Sequence, residues 1–301
     1  MSTARQRSHP AGRRPGNPWR FTWPEWQASL HRSWDQTFAD NVDLMSAGVA
    51  FYAFLALVPL LGAIVLSYGL LATPDSVMAD VRLLTGTIPE DAAKLVGQQL
   101  LNIVTTSNDK KGLGLALALA LALYGVRSGA GATITALNVA YEEKETRGFF
   151  HFNFIVLAVT VTAVLFALVG IGAAALLARL EALIPTMSPA SSAAEKVWSY
   201  LAIMAIGAIV AAALYRIAPC RRFSGWIWVT PGAAWTGVGW LLVTVGFGSY
   251  VANIGRYNVT YGSLGAVVVM LTWFYLSSFI LLVGAEINAA CERQMELLKP
   301  D

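Results

Sequence analysis

Apolar residues gather in six long runs, at roughly 45–72, 113–140, 153–178, 197–217, 227–251 and 261–288, with polar segments between them. A helix needs about 20 predominantly apolar residues to cross a hydrocarbon core ~30 Å thick, and each run is long enough to do so with some tilt. The pattern predicts an all-α, polytopic membrane protein in which residues 45–293 form a six-helix transmembrane domain.

Two further segments read as helices outside the spans. Within 19–44, PEWQASLHRSWDQTFADN begins with a proline in its first turn and sets Trp26, Leu30, Trp34 and Phe38 at steps of four. Aromatic residues on one face and charges on the other suit an amphipathic helix lying in the membrane interface. Within 73–111, TPDSVMADVRLL and IPEDAAKLVGQQLLNIV each open on Pro followed by acids, as helix N-termini prefer, and predict a small helical hairpin on the outer side. Residues 1–18, basic and Pro-rich with no apolar stretch behind them, read as a disordered tail, and 294–301 as a short cytoplasmic tail.

Composition agrees with the pattern. Of 301 residues 56% are hydrophobic and 13% charged, about half the charged share of a soluble domain. With the N-terminus inside, the inner segments carry 12 Lys and Arg against 7 in the outer ones, which predicts both termini in the cytoplasm. Cys220 and Cys291 then lie on the reducing side as free thiols.

Polar residues inside the spans are the candidates for function, because a membrane helix turns them toward protein or a water-filled cavity. On the sixth span Tyr261, Gly265, Val268, Thr272, Tyr275, Phe279 and Glu286 fall along one face at about 100° per residue. The second span carries Arg127 midway, with Tyr124, Asn138 and Tyr141 on the same side. A guanidinium there costs at least ~2.5 kcal/mol unless paired or hydrated. Depth along the helices places Arg127 with Tyr52, Thr272 and Tyr275. It places Glu286 nearer the inner surface, with Asn138, Tyr141, Lys144, Arg147, Arg221 or Arg222 as partners. These same residues could equally lock the bundle together. Pro59, and Pro231 beside Gly232, are expected to kink their helices.

Arg216, Arg221 and Arg222 form an inner cationic turn suited to anionic lipid headgroups, or serve as the topology signal alone. The three histidines, His9, His31 and His151, are scattered and have no metal-ligand spacing. No nucleophile has a base beside it, and no phosphate-binding or dinucleotide fingerprint is present. A non-enzymatic protein with no metal, cofactor or nucleic-acid partner is expected.

NVDLMSAGVAFYAFLALVPLL, ALNVAYEEKETRGFF, RRF…PGA and SYVANIGRYNVTYGSLGAVVVMLTWFYLSSFILLVGAEINA resemble the BrkB/YihY family of bacterial inner-membrane proteins, from about residue 41 to residue 293. The resemblance implies six membrane helices, an association with virulence in some pathogens, and a link to envelope lipid transport in some members. An old ribonuclease BN label attaches to the family, and the residues above give it no support. The expected function is a carrier of an anionic or lipid-like amphiphile along a polar path lined by spans one, two and six. Its partners would be membrane lipids and that substrate. The alternative is a non-catalytic scaffold or regulator of an envelope complex, and the sequence leaves the oligomeric state open.

Overall fold

The computed structural model describes residues 17–71, 108–160, 189–221, 225–254 and 258–298, and these are all helices, turns and short connections, with no strand among them. Residues 73–107 of the predicted hairpin, nearly all of the tail 1–18 and Arg222 lie outside the described residues, and 108–111 begin a long helix. The helices are α1 (Trp23–Ala39), α2 (Val42–Leu71), α3 (Asn108–Ala140), α4 (Phe149–Thr160), α5 (Pro189–Ile217), α6 (Thr230–Ile254) and α7 (Asn258–Leu297). Among the described residues three stretches are long and apolar enough to cross a membrane: Gly112–Ala140, Tyr200–Ile217 and Val267–Leu297. Val42–Leu57 and Phe149–Thr160 are shorter apolar helices. Large apolar side chains point outward along these helices, among them Leu113, Leu117, Leu123, Ile209, Leu242 and Val268. Lipid is the solvent for such a surface. The chain is an all-α polytopic membrane protein.

It divides into two compact units, one of residues 51–129 and one of residues 1–50 with 130–301. Within the smaller unit α2 and α3 approach closely at small residues. A Cβ placed on Gly125 would stand 2.7 Å from the Ala56 Cα, and one on Gly129 would stand 3.6 Å from the Tyr52 Cβ. This Gly-x-x-x-Gly spacing puts two side-chain-free positions one turn apart on the contact line, as membrane helices in close contact require. Pro59 lies inside α2.

The larger unit is built around the C-terminal half of α7, where every residue from Leu281 to Cys291 is buried. A helix buried all round must be enclosed on all sides. Its neighbours are α1, α6 and the 3-10 turn Trp226–Val229, with α3 and α5 joined to it by hydrogen bonds described below. Pro231 does not kink a helix here. It sits in the first turn of α6, where its missing N–H costs nothing. Gly232 beside it allows a close helix contact, since a Cβ there would collide with the Gly284 carbonyl of α7.

α1 starts at Thr22, whose backbone N–H donates to Glu25 Oε2 at 2.6 Å, with Pro24 in the first turn. Ser29, Ser33 and Thr37 are buried on the face toward α7, and the Ser29 and Thr37 hydroxyls donate to carbonyls one turn back. Trp23, Leu30, Trp34 and Phe38 remain exposed, whereas Trp26 is partly buried against the rings of Trp19 and Phe21. The apolar stripe thus faces outward and small polar residues make the helix contact, an arrangement that suits a helix bathed in lipid or interface on its outer side.

Candidate functional site

The polar residues of the larger unit meet at one end of it, where α3 ends, α5 ends, α6 begins and the last turns of α7 pass through. Asn288, wholly buried, accepts the Gly232 N–H at 2.7 Å through Oδ1. That N–H belongs to the first turn of α6 and has no partner within its own helix, so Asn288 supplies the missing acceptor. The Asn288 amide donates to the Tyr141 hydroxyl at 3.2 Å. Two turns before Asn288, the Tyr215 hydroxyl of α5 donates to the Leu281 carbonyl at 2.6 Å and lies 2.6 Å from Thr236 Oγ1. Four helices are thereby tied by side-chain bonds in a space where an unmade bond would cost about 1–3 kcal/mol.

Around this core two turns are stapled by charge. Asn138 receives the Cys220 N–H at 2.6 Å and donates to Glu145 at 2.9 Å. Arg147 grips Glu145 with two parallel bonds of 2.8 and 2.7 Å and reaches the Ala218 carbonyl at 2.9 Å. Arg147 is the first cause that holds the Glu145 carboxyl down at about 2, against its own partial burial. A carboxyl held low in the fold contributes stability that is complete above its ordinary pKa of ~4.3 and lost as pH falls toward 2. Acid unfolding between about pH 5 and pH 2 is therefore expected to be shallower in Glu145→Gln than in wild type, read as the pH dependence of the thermal midpoint. Identical slopes would remove this staple from the account.

Arg221 joins the second turn to α7. Its guanidinium donates to Glu292 at 2.5 Å and to the Tyr215 carbonyl at 3.0 Å, and lies 4.0 Å from the Tyr141 ring centre. Burial, more than any neighbour, pushes the Tyr141 hydroxyl's ionisation well above its usual range, so it remains a neutral hydrogen-bonding group. Glu142 closes the end of α3 in the left-handed region at φ 55°, a conformation costly for a side-chain-bearing residue. Its carboxylate is held from two sides, by Arg293 at 2.8 Å and by Gln36 of α1 at 2.8 Å.

The predicted partners of Glu286 are thus engaged elsewhere: Asn138 and Arg147 with Glu145, Tyr141 with Asn288 and Arg221, Arg221 with Glu292. Lys144 is exposed. Glu286 is wholly buried, neither of its oxygens has a donor, and it stands beside Asp40 at the end of α1. Its position one residue from the small, close-packed Gly284-Ala285 pair explains the difference. The helix there is enclosed, so the inner-surface side chains reach α7 at other turns.

Of the remaining predicted residues, Tyr52, Tyr124 and Arg127 belong to the smaller unit, where Tyr124 and Arg127 are exposed and Tyr52 is half-buried. Thr272 and Tyr275 belong to the larger. The Thr272 hydroxyl is satisfied by the Val268 carbonyl at 2.8 Å, and the Tyr275 ring stacks on Phe279. The Tyr261 side chain lies outside the described ones. Among the described residues no three His, Cys, Asp or Glu side chains are placed to hold a metal ion.

Outside the staples lies an open groove of about 1100 Å³, with Lys144, Arg147, Arg216 and Arg221 among its lining residues against Glu142 and Glu143. His151, Cys220 and Trp226 complete its polar and aromatic wall. The Arg216 guanidinium lies 5.7 Å from the Trp226 ring centre. Phe149 and Phe150, at the start of α4, and Trp226 are strongly exposed beside it.

The profile of the Virulence factor BrkB family matches residues 33–301, and the chain belongs to that family. It is similar to the ribonuclease-like protein YfkH of Bacillus subtilis (strain 168), 30% identical over 258 residues that cover 84% of this chain and 90% of that one. Shorter likenesses reach UPF0761 membrane proteins of Alkalilimnicola ehrlichii, 53% identical over 45 residues, and Halorhodospira halophila, 33% identical over 90. The first covers 15% of this chain and 10% of its relative, the second 30% and 20%. No solved structure matches the chain.

Proposed function

We propose that this integral membrane protein is a carrier for an anionic, lipid-like amphiphile, and that the open groove receives its headgroup. The observation that supports the reading is the convergence of four cationic side chains, Lys144, Arg147, Arg216 and Arg221, at one groove whose rim is aromatic. Cations there attract anionic headgroups at about 1 kcal/mol per charge, and exposed Phe and Trp settle at the lipid–water boundary. Arg147 and Arg221 also bind carboxylates, and Lys144 and Arg216 line the same groove. With both termini in the cytoplasm of the inner membrane the groove faces the cytoplasm. No ATP-binding motif is present in the sequence, so movement of the substrate would draw on a gradient or a partner. The reading is non-enzymatic, and Arg127 with Tyr52 and Tyr124 is a further anion-binding candidate in the smaller unit.

The scaffold reading has its own support in the number of polar groups spent on internal bonds. Mass spectrometry of lipids and amphiphiles that co-purify with wild type, Lys144→Gln/Arg216→Gln and Arg127→Gln separates the two. The carrier reading expects an anionic species enriched over bulk membrane lipid and reduced several-fold in the double variant at an unchanged thermal midpoint. Identical profiles from equally stable proteins would leave the scaffold.

A further inference from the structure

Glu286 is fully enclosed within the larger unit, and both of its carboxyl oxygens lack a hydrogen-bond donor. Asp40, at the C-terminal end of α1, presents its carboxyl to it, and Asp40 Oδ2 is likewise buried without a donor. Two ionised carboxylates accept hydrogen bonds and donate none, so as a pair of anions they would repel each other and satisfy nothing. One proton changes both facts. The protonated oxygen donates to its neighbour, and the pair carries a single charge.

The surroundings hold more anions than cations. Glu142, from the turn after α3, adds a third carboxylate, and Arg293, two turns further along α7, pairs with Glu142 at 2.8 Å through Nη1 while its Nη2 is buried without a partner, so one guanidinium faces three carboxyls. Tyr141, at the end of α3, is neutral and bonded to Asn288. The 3-10 turn and the first turns of α6 bring no ionisable side chain. A metal ion finds no cluster of three ligands among the described residues.

We propose that Asp40 and Glu286 form a proton-binding site that holds one shared proton at neutral pH and couples its occupancy to the seating of α1 on α7. Release sends the proton to water and leaves two facing carboxylates across the α1–α7 contact, which loosens α1. Asp40 titrates accordingly: burial raises its carboxyl above the ordinary value, with Glu142 adding to the rise and Glu286 and Arg293 opposing it. A carboxyl raised in the fold contributes stability that is full below its ordinary pKa of ~4 and is lost as pH climbs through its folded value. This inference stands whether or not the groove receives a headgroup.

The test is infrared difference spectroscopy of the purified full-length protein between about pH 7 and pH 10, with thermal midpoints over the same range. Wild type is expected to show a protonated-carboxyl carbonyl band at neutral pH that vanishes in base, and a midpoint that falls as pH rises. Glu286→Gln, whose amide donates to Asp40 without a proton, should lack the band and show a flat midpoint. Asp40→Asn provides the same comparison should the first variant fail to fold. Absence of the band in folded wild type at neutral pH overturns the proposal. So does an unchanged pH slope in a folded variant, or a midpoint set by sodium at constant pH with no band.

Discussion

Arg221→Met is expected to lower the unfolding free energy by about 2–4 kcal/mol, measured by denaturant unfolding in detergent micelles. The side chain is 4% exposed and its partner Glu292 22%, so the pair is enclosed on one side and wetted on the other. Removing one member of a fully buried pair costs about 3–5 kcal/mol because the remaining charge is stranded. Glu292 is partly wetted and has a further contact besides Arg221, which sets the lower figure. The Tyr215 carbonyl also loses its donor and the Tyr141 ring its cation. Arg221→Lys should fall between, since a single ammonium cannot span the carboxylate, the carbonyl and the ring together. Arg221→Met/Glu292→Met should recover part of the loss by removing the carboxylate that has lost its guanidinium. A single-variant loss below about 0.5 kcal/mol, the scale of an ordinary surface change, would sink the structural role and return Arg221 to the headgroup candidates.

The membrane character of the chain was legible because it rests on composition and run length, which no tertiary contact can reverse. Asn138, Tyr141 and Glu286 were picked out for the same reason, as polar groups where lipid allows few. Their partners were not legible. A helical wheel assumes that one face is buried, and on α7 it gathered Thr272, Tyr275 and Glu286 into a stripe while leaving Asn288 off it. Enclosure of the whole Leu281–Cys291 stretch makes both Glu286 and Asn288 interior, so the wheel had no face to find. Glu145 was invisible for another reason. It is a charged residue in a charged turn, and only the return of the chain at Ala218 and Cys220 reveals what it holds. Pro231 shows how a boundary error propagates: with the fifth span begun at 227 the proline looks interior, and with α6 begun at Thr230 it is an initiator. Asp40 gave no signal beyond its place at the end of an amphipathic helix, and its meaning comes from the carboxyl opposite.

Gly284→Ala is expected to destabilise the protein by about 2–4 kcal/mol, although alanine is the better helix former by about 1 kcal/mol. A Cβ at this position would drive into the Tyr215 hydroxyl, with Thr236 Oγ1 at 2.6 Å and the Gly232 carbonyl at 2.8 Å. The carbonyl is backbone and cannot rotate away, so α6 must retreat or the Tyr215 side chain must leave its place. Retreat breaks the Gly232–Asn288 bond, and departure breaks the bonds to Thr236 and the Leu281 carbonyl, each worth about 1 kcal/mol net. Gly284→Leu should leave no folded protein to purify. Gly246→Ala on α6 is the control, because a Cβ there meets nothing within 4 Å, and it should be neutral or stabilising by up to about 1 kcal/mol. Tyr215→Phe distinguishes crowding from a general intolerance of side chains. In wild type it should cost about 1 kcal/mol or more through its lost hydrogen bonds, yet in Gly284→Ala it should recover stability by withdrawing the oxygen that the new methyl meets. A Gly284→Ala protein as stable as wild type, or a double variant whose losses simply add, would mean that the α6–α7 contact is looser than the Gly232–Gly284 approach requires.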